Sequence, residues 1–176
     1  MKNYGVIIVG STSESSRLHG MAKYVQKELS LQGCEIDYLD VLSLPADDLL
    51  RLRFDSEPIK YFLQQIEGAR FCVICTPVYK AAYAGILKCF LDMLPQKSME
   101  DKLVLPLMMG GTSAHLLSIE YSLKPVLSAL GCRHILQGVY ATDAQIKRED
   151  GGFGLEEGLK ERLKAGVADI MKSIVS

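Results

Sequence analysis

Three apolar runs, Tyr4–Val9, Phe71–Cys75 and Leu103–Met109, constrain this chain most, because each is almost unbroken and each stops at a turn-forming loop before a helix-patterned segment. Unbroken apolarity over a strand's length marks a strand with both faces buried, which is the condition of a parallel sheet covered by helices on both sides. The loops are Gly10-Ser11-Thr12-Ser13-Glu14-Ser15-Ser16-Arg17, Thr76–Gly85 and Gly110-Gly111-Thr112-Ser113. All three then lie at the carboxyl edge of the sheet, where open α/β folds gather ligands.

The remaining pattern alternates strand and helix. A helix runs from about Ser16 to Ser30 and ends before Gly33; a strand covers Glu35–Leu39; a helix lies near Pro58–Glu67, with Pro58 suited to a first turn. Further helices run to Leu94, over about Ser113–Leu130 and over about Leu155–Ile174, and a fifth strand lies in His134–Tyr140. Lys147–Gly154, rich in Gly and charge, reads as a mobile loop. Five strands alternating with five helices predict one domain over 1–176: an α/β, flavodoxin-like three-layer sandwich with a five-stranded parallel sheet ordered 2-1-3-4-5. With 176 residues, 48% of them hydrophobic, such a chain can bury a core without a staple.

Charge and cysteine usage narrow the function classes. A net charge of -1 with no basic run argues against nucleic-acid binding, and no apolar run approaches the roughly 20 residues of a membrane helix. The chain opens straight into a strand pattern, so the expected compartment is the cytoplasm. Five scattered cysteines fit a reducing compartment. Cys72 and Cys75, three apart on a strand, point to opposite faces and are expected as buried thiols rather than a redox pair. His19, His115 and His134 have no metal-ligand spacing, and no metal is expected.

The loops carry the chemistry. Ser11, Thr12, Ser13, Ser15 and Ser16 set five hydroxyls around free N–H groups at a helix start, a cradle for an anion. The loop lacks the Walker lysine and the G-x-G-x-x-G glycines, which points to a monophosphate. A simple serine cap would also account for Ser15 or Ser16. Arg17 either adds charge there or lies solvated on the helix. In the second loop Pro77, Val78, Tyr79 and Lys80 offer a stiff backbone, an aromatic face and a charge; a proline-stiffened turn with core tyrosines is the alternative. Gly110, Gly111 and Thr112 let a ligand approach the backbone, or simply make a tight turn. Further along, Pro125 cannot bond the carbonyl of Tyr121, so the helix must kink or bulge there.

The motifs Gly10-Ser11…Ser16, Thr76–Lys88, Gly110–Leu117 and Tyr121–Leu127, with Leu49-Leu50…Arg53-Phe54-Asp55-Ser56, resemble the NADPH-dependent FMN reductases. The resemblance is closest to the reductase component of two-component alkanesulfonate monooxygenase systems. It implies a flavodoxin-like homodimer or homotetramer in which Ser11, Ser13, Ser15, Ser16 and Arg17 hold the flavin phosphate. Pro77, Val78, Tyr79, Lys80 and Gly110, Gly111, Thr112 would flank the isoalloxazine. Hydride would pass from NADPH to FMN, used as an exchangeable substrate, with no catalytic side chain, and reduced FMN would go to a monooxygenase that desulfonates organosulfur compounds. Tyr121 matches a tyrosine placed in a π-helix at the tetramer interface. Many relatives carry Arg where this chain has Ser13. A quinone, azo-dye or metal-ion reductase with tightly held FMN would share these motifs. An electron-carrier flavodoxin would be strongly acidic, and a phospho-receiver would need acidic residues where Gly10-Ser11 and Thr76-Pro77 stand.

Overall fold

A computed structural model describes residues 3–175. The central strands are β1 (Tyr4–Val9), β2 (Glu35–Asp40), β3 (Phe71–Tyr79) and β5 (Leu103–Gly110), with β4 (Ala82–Tyr83) between the last two in sequence. The fifth position of the sheet is shared by β6 (His134–Ile135) and β7 (Val139–Thr142). The order is β2-β1-β3-β5-β6, with β7 also pairing β5 and β4 folded back on β3. The expected flavodoxin-like order therefore holds, in a sheet of seven strands rather than five. The split has a visible cause. Leu103 and Val104 pair with His134 and Ile135, and pairing resumes only at Leu107 with Val139, on either side of Pro106, which has no N–H for a ladder.

The helices are α1 (Leu18–Leu31), a short α2 (Ala46–Leu50), α3 (Glu57–Gly68), α4 (Gly85–Leu91), α5 (Lys124–Ala129) and α6 (Glu157–Val175). Each buries one stripe: Ile59, Phe62 and Ile66 on α3, for instance, fall at the spacing of 3.6-residue turns. On β1 and β3, Val6, Ile8, Cys72 and Ile74 enter the core layer under α3 and α4, while Ile7, Val9, Val73 and Cys75 enter the layer under α1 and α6. Cys72 and Cys75 thus sit in different layers. Burial pushes the Cys72 thiol up to about 12 and Cys75 higher still, so neither offers a thiolate near neutral pH.

Four expectations need correction. Strand β3 does not end at Thr76-Pro77 but runs through Pro77, paired with Met109, to Tyr79. The single helix expected over 113–130 is a 3-10 turn (Ser113–His115), a π-helix (Ile119–Leu123) and then α5. The segment read as a mobile loop is an antiparallel hairpin of β8 (Ile146–Glu149) and β9 (Gly152–Leu155). It is anchored by Ile146, 1% exposed, and by Phe153 against α1. Finally, the segment before Pro58, which shows no helical pattern in sequence, contains the short α2. Among the described residues no helix is long and apolar enough to cross a membrane.

Candidate functional site

Parallel register brings the three loops to one edge. Val9 lies beside Cys75, Pro77 beside Met109, and Gly110 beside Thr142, so the segments that follow β1, β3 and β5 emerge side by side. Two contacts join them. The Thr12 and Tyr79 hydroxyls share a hydrogen bond at 3.0 Å, and Val78 packs beside Gly110, its Cβ 3.4 Å from where a Cβ there would stand.

The serine loop is organised around two carbonyls. That of Ser13 accepts from the Ser11 hydroxyl at 3.1 Å, from the Ser16 N–H at 3.1 Å and from His19 Nε2 at 3.2 Å. That of Ser15 accepts from the Arg148 guanidinium at 2.8 Å. Ser11 is buried, Ser13 and Ser15 are exposed with their hydroxyls 3.1 Å apart, and Ser16 Oγ accepts from the Leu18 N–H at 3.3 Å. Ser16 thus satisfies one free N–H at the start of α1, while the Ser11, Thr12, Ser13 and Ser15 hydroxyls bond within the loop or to Tyr79. Arg17 is partly exposed, but its Nε is buried and has no hydrogen-bond partner among the described residues, which is costly unless a ligand or water supplies one.

His19, buried on the first turns of α1, is a residue the sequence reading did not place here. The Ser13 carbonyl can only accept, so Nε2 carries a proton, while Nδ1 shares a hydrogen bond with the Tyr38 hydroxyl at 2.7 Å. Burial, reinforced by Cys75 and Asp40, pushes the Tyr38 phenol well above its ordinary range and keeps it protonated. Nothing in the serine pattern signals Arg148, which arrives from 133 residues away, whereas His19 stands only six residues from Ser13 and its nearness to the loop was the available signal.

The second loop is a two-residue hairpin turn. Val78 pairs with Tyr83 and Tyr79 with Ala82, leaving Lys80 (φ 50°) and Ala81 (φ 64°) both left-handed. Neither is glycine, and each costs on the order of 1 kcal/mol, the kind of strain that gathers at ligand sites. Thr76, fully buried, closes the base by accepting from the Ala84 N–H at 3.0 Å. Tyr79 is 50% exposed at the rim.

In the third loop the Tyr140 hydroxyl donates to the Thr112 carbonyl at 2.7 Å, and the absent side chain of Gly110 is what lets that hydroxyl in. Gly111 differs: a Cβ there would meet nothing within 4 Å, so its bareness serves no internal packing. Exposed His115 makes no part of this arrangement. Tyr121, on the π-helix, is 79% exposed and is not brought into the three-loop cluster by any contact described. The arrangement offers an anion cradle with an unsatisfied guanidinium N–H, an exposed aromatic rim and an open glycine backbone. Those features fit a flat phosphorylated heterocycle.

A doubly wound sheet with these loops at its carboxyl edge defines an α/β nucleotide-type cofactor protein. Residues 5–147 match the family described as NADPH-dependent FMN reductase, and the chain belongs to that family of oxidoreductases, which act on FMN with NADPH. It is 43% identical over 141 residues to an FMN reductase (NADPH) of Escherichia coli (strain K12), covering 80% of this chain and 74% of that protein. An FMN reductase (NADPH) of Pseudomonas putida (strain KT2440) is 41% identical over 160 residues, 90% of this chain and 81% of its own. Among solved structures, the apo form of the NADH:FMN oxidoreductase EMOB superposes with a TM-score of 0.88 at 29% identity, over 98% of this chain and 90% of that one.

Proposed function

We propose that this chain binds FMN across the three loops as an exchangeable substrate, reduces it with NADPH and passes the reduced flavin to a partner monooxygenase that desulfonates organosulfur compounds. The observation that carries the reading is the convergence of a hydroxyl-rich cradle, a strained aromatic hairpin and an open glycine backbone on one edge. Ser11, Ser13, Ser15, Ser16 and Arg17 hold the phosphate, the orphaned Arg17 Nε finding its partner there. Pro77, Val78, Tyr79 and Lys80 align one side of the ring, and the N–H groups of Gly110, Gly111 and Thr112 support it where electron density rises on reduction. Bound FMN supplies the hydride acceptor. The chain's contribution is alignment, which for transfer between stacked rings outweighs any acid or base, and no catalytic side chain is assigned.

The π-helix belongs to the same reading. Tyr121 projects from it and, with Leu116 and Leu117 of the preceding turn, both about half exposed, forms the contact between copies of a homodimer or homotetramer. That contact lets the flavin site loosen and release reduced FMN. The alternative, a reductase that retains FMN and reduces quinones, azo dyes or metal ions, uses the same loops and is distinguished by flavin retention. Protein purified without added flavin is expected to be colourless and to oxidise NADPH only when free FMN is supplied. One FMN retained per chain, with quinone reduction in the absence of added flavin, would favour the alternative.

A further inference from the structure

The phosphate cradle joins serine hydroxyls to Arg17 within the loop, and a second cation, Arg148, holds it from outside. The hairpin β8–β9 brings that cation in. Residues directly opposite in an antiparallel pair share a face, so Arg148, paired with Phe153, projects to the side on which Phe153 meets α1. That meeting is close: a Cβ on Gly20 of α1 would stand 2.7 Å from the Cβ of Phe153. The hairpin is therefore seated on α1, beside the loop that enters it, and Arg148 Nη2 reaches the Ser15 carbonyl at 2.8 Å across 133 residues of sequence. Arg148 lies one residue beyond the stretch that matches the family, 5–147.

We propose that Arg148 is a positioning residue for the flavin phosphate: it ties down the Ser15 carbonyl and places a positive charge at the cradle, giving the site its preference for FMN over unphosphorylated riboflavin. A carbonyl oxygen free to face the phosphate would repel it. With the Ser13 carbonyl already taken by three donors, the Ser15 carbonyl is the acceptor of the loop that a distant side chain must hold. A guanidinium is suited to the task, since it stays charged and its remaining donors are free to meet an anion. The role rests on reading the serine loop as the phosphate site, and the test separates the two.

FMN and riboflavin are titrated by quenching of flavin fluorescence into the unaltered protein, Arg148→Ala, Arg148→Lys and Ser16→Asp, at low and high ionic strength. Arg148 is exposed, so its removal leaves the core intact, which thermal melting verifies. Arg148→Ala is expected to weaken FMN binding about tenfold, the scale of one charge-assisted hydrogen bond, with riboflavin changed less than twofold and a shallower salt dependence. Arg148→Lys should recover part of the loss. If Ser16→Asp weakens FMN selectively while Arg148→Ala shifts both ligands equally or neither, Arg148 is a hairpin contact only and the proposal fails. Equal losses for both ligands in Ser16→Asp would overturn the phosphate reading itself.

Discussion

At the scale of single residues, the glycines of the third loop show how differently two neighbours can earn their place. Both read in sequence as sites of close approach, but Gly110 approaches Tyr140 and only Gly111 opens outward. A Cβ at Gly110 would stand 2.2 Å from the Tyr140 hydroxyl, which would have to leave the Thr112 carbonyl. Gly110→Ala is accordingly expected to lose about 1–3 kcal/mol of stability in urea unfolding, and FMN affinity with it. Tyr140→Phe removes only the hydroxyl and should cost about 1 kcal/mol. The double variant should lose less than the sum, because the clash and the hydrogen bond involve the same oxygen. Strict additivity would mean that Gly110 acts elsewhere. The sequence marks the glycines because backbone freedom is a local property; the hydroxyl that fills one of them lies on another strand.

At the scale of elements, the defect signalled by Pro125 is a π-helix of five residues, Ile119–Leu123, in place of a helical turn. Ile119 and Leu123 are buried on it while Tyr121 faces outward, so the extra residue is carried on the solvent side. Removing Tyr121 shortens the Ile119-to-Leu123 spacing from four to three, and both spacings keep two residues on one helical face. The deletion protein should therefore fold, with a regular helix leading into α5. It is expected to retain more FMN through gel filtration and, if the proposed transfer operates, to deliver less reduced flavin to a monooxygenase in a coupled assay. A folded, oligomeric deletion protein with unchanged retention and undiminished coupled turnover would leave Tyr121 a structural residue. Proline chemistry made the defect legible. Its form was not, because a kink and a bulge both satisfy the missing N–H and the packing of Ile119 and Leu123 chooses between them.

At the scale of the whole molecule, the exposed apolar side chains Leu116, Leu117 and Tyr121 fall within six consecutive positions beside the third loop. Such a patch is costly to leave in water and is expected to be covered by a second copy. Light scattering at micromolar concentration should report a dimer or tetramer, and Leu117→Lys should shift it toward smaller species without unfolding the chain. A monomer throughout would remove the basis for coupling flavin release to assembly.

The order of the sheet, the two core layers and the three loops at one edge were determined by sequence alone. Continuous apolar strands, helix stripes and Gly, Pro and Ser punctuation are local signals, and the right-handed crossover leaves few ways to connect them. Tertiary structure decided the rest. Whether Thr76-Pro77 ended β3 depended on Met109 beside it, and whether 147–154 was mobile depended on a seat for Phe153 at Gly20. Arg148 reached the Ser15 carbonyl, 133 residues away, from a hairpin whose own sequence pattern does not mention the loop. Spacing along a chain records what a residue's neighbours require of it; hydrogen bonds made across more than a hundred residues exist only once the sheet has brought their ends together.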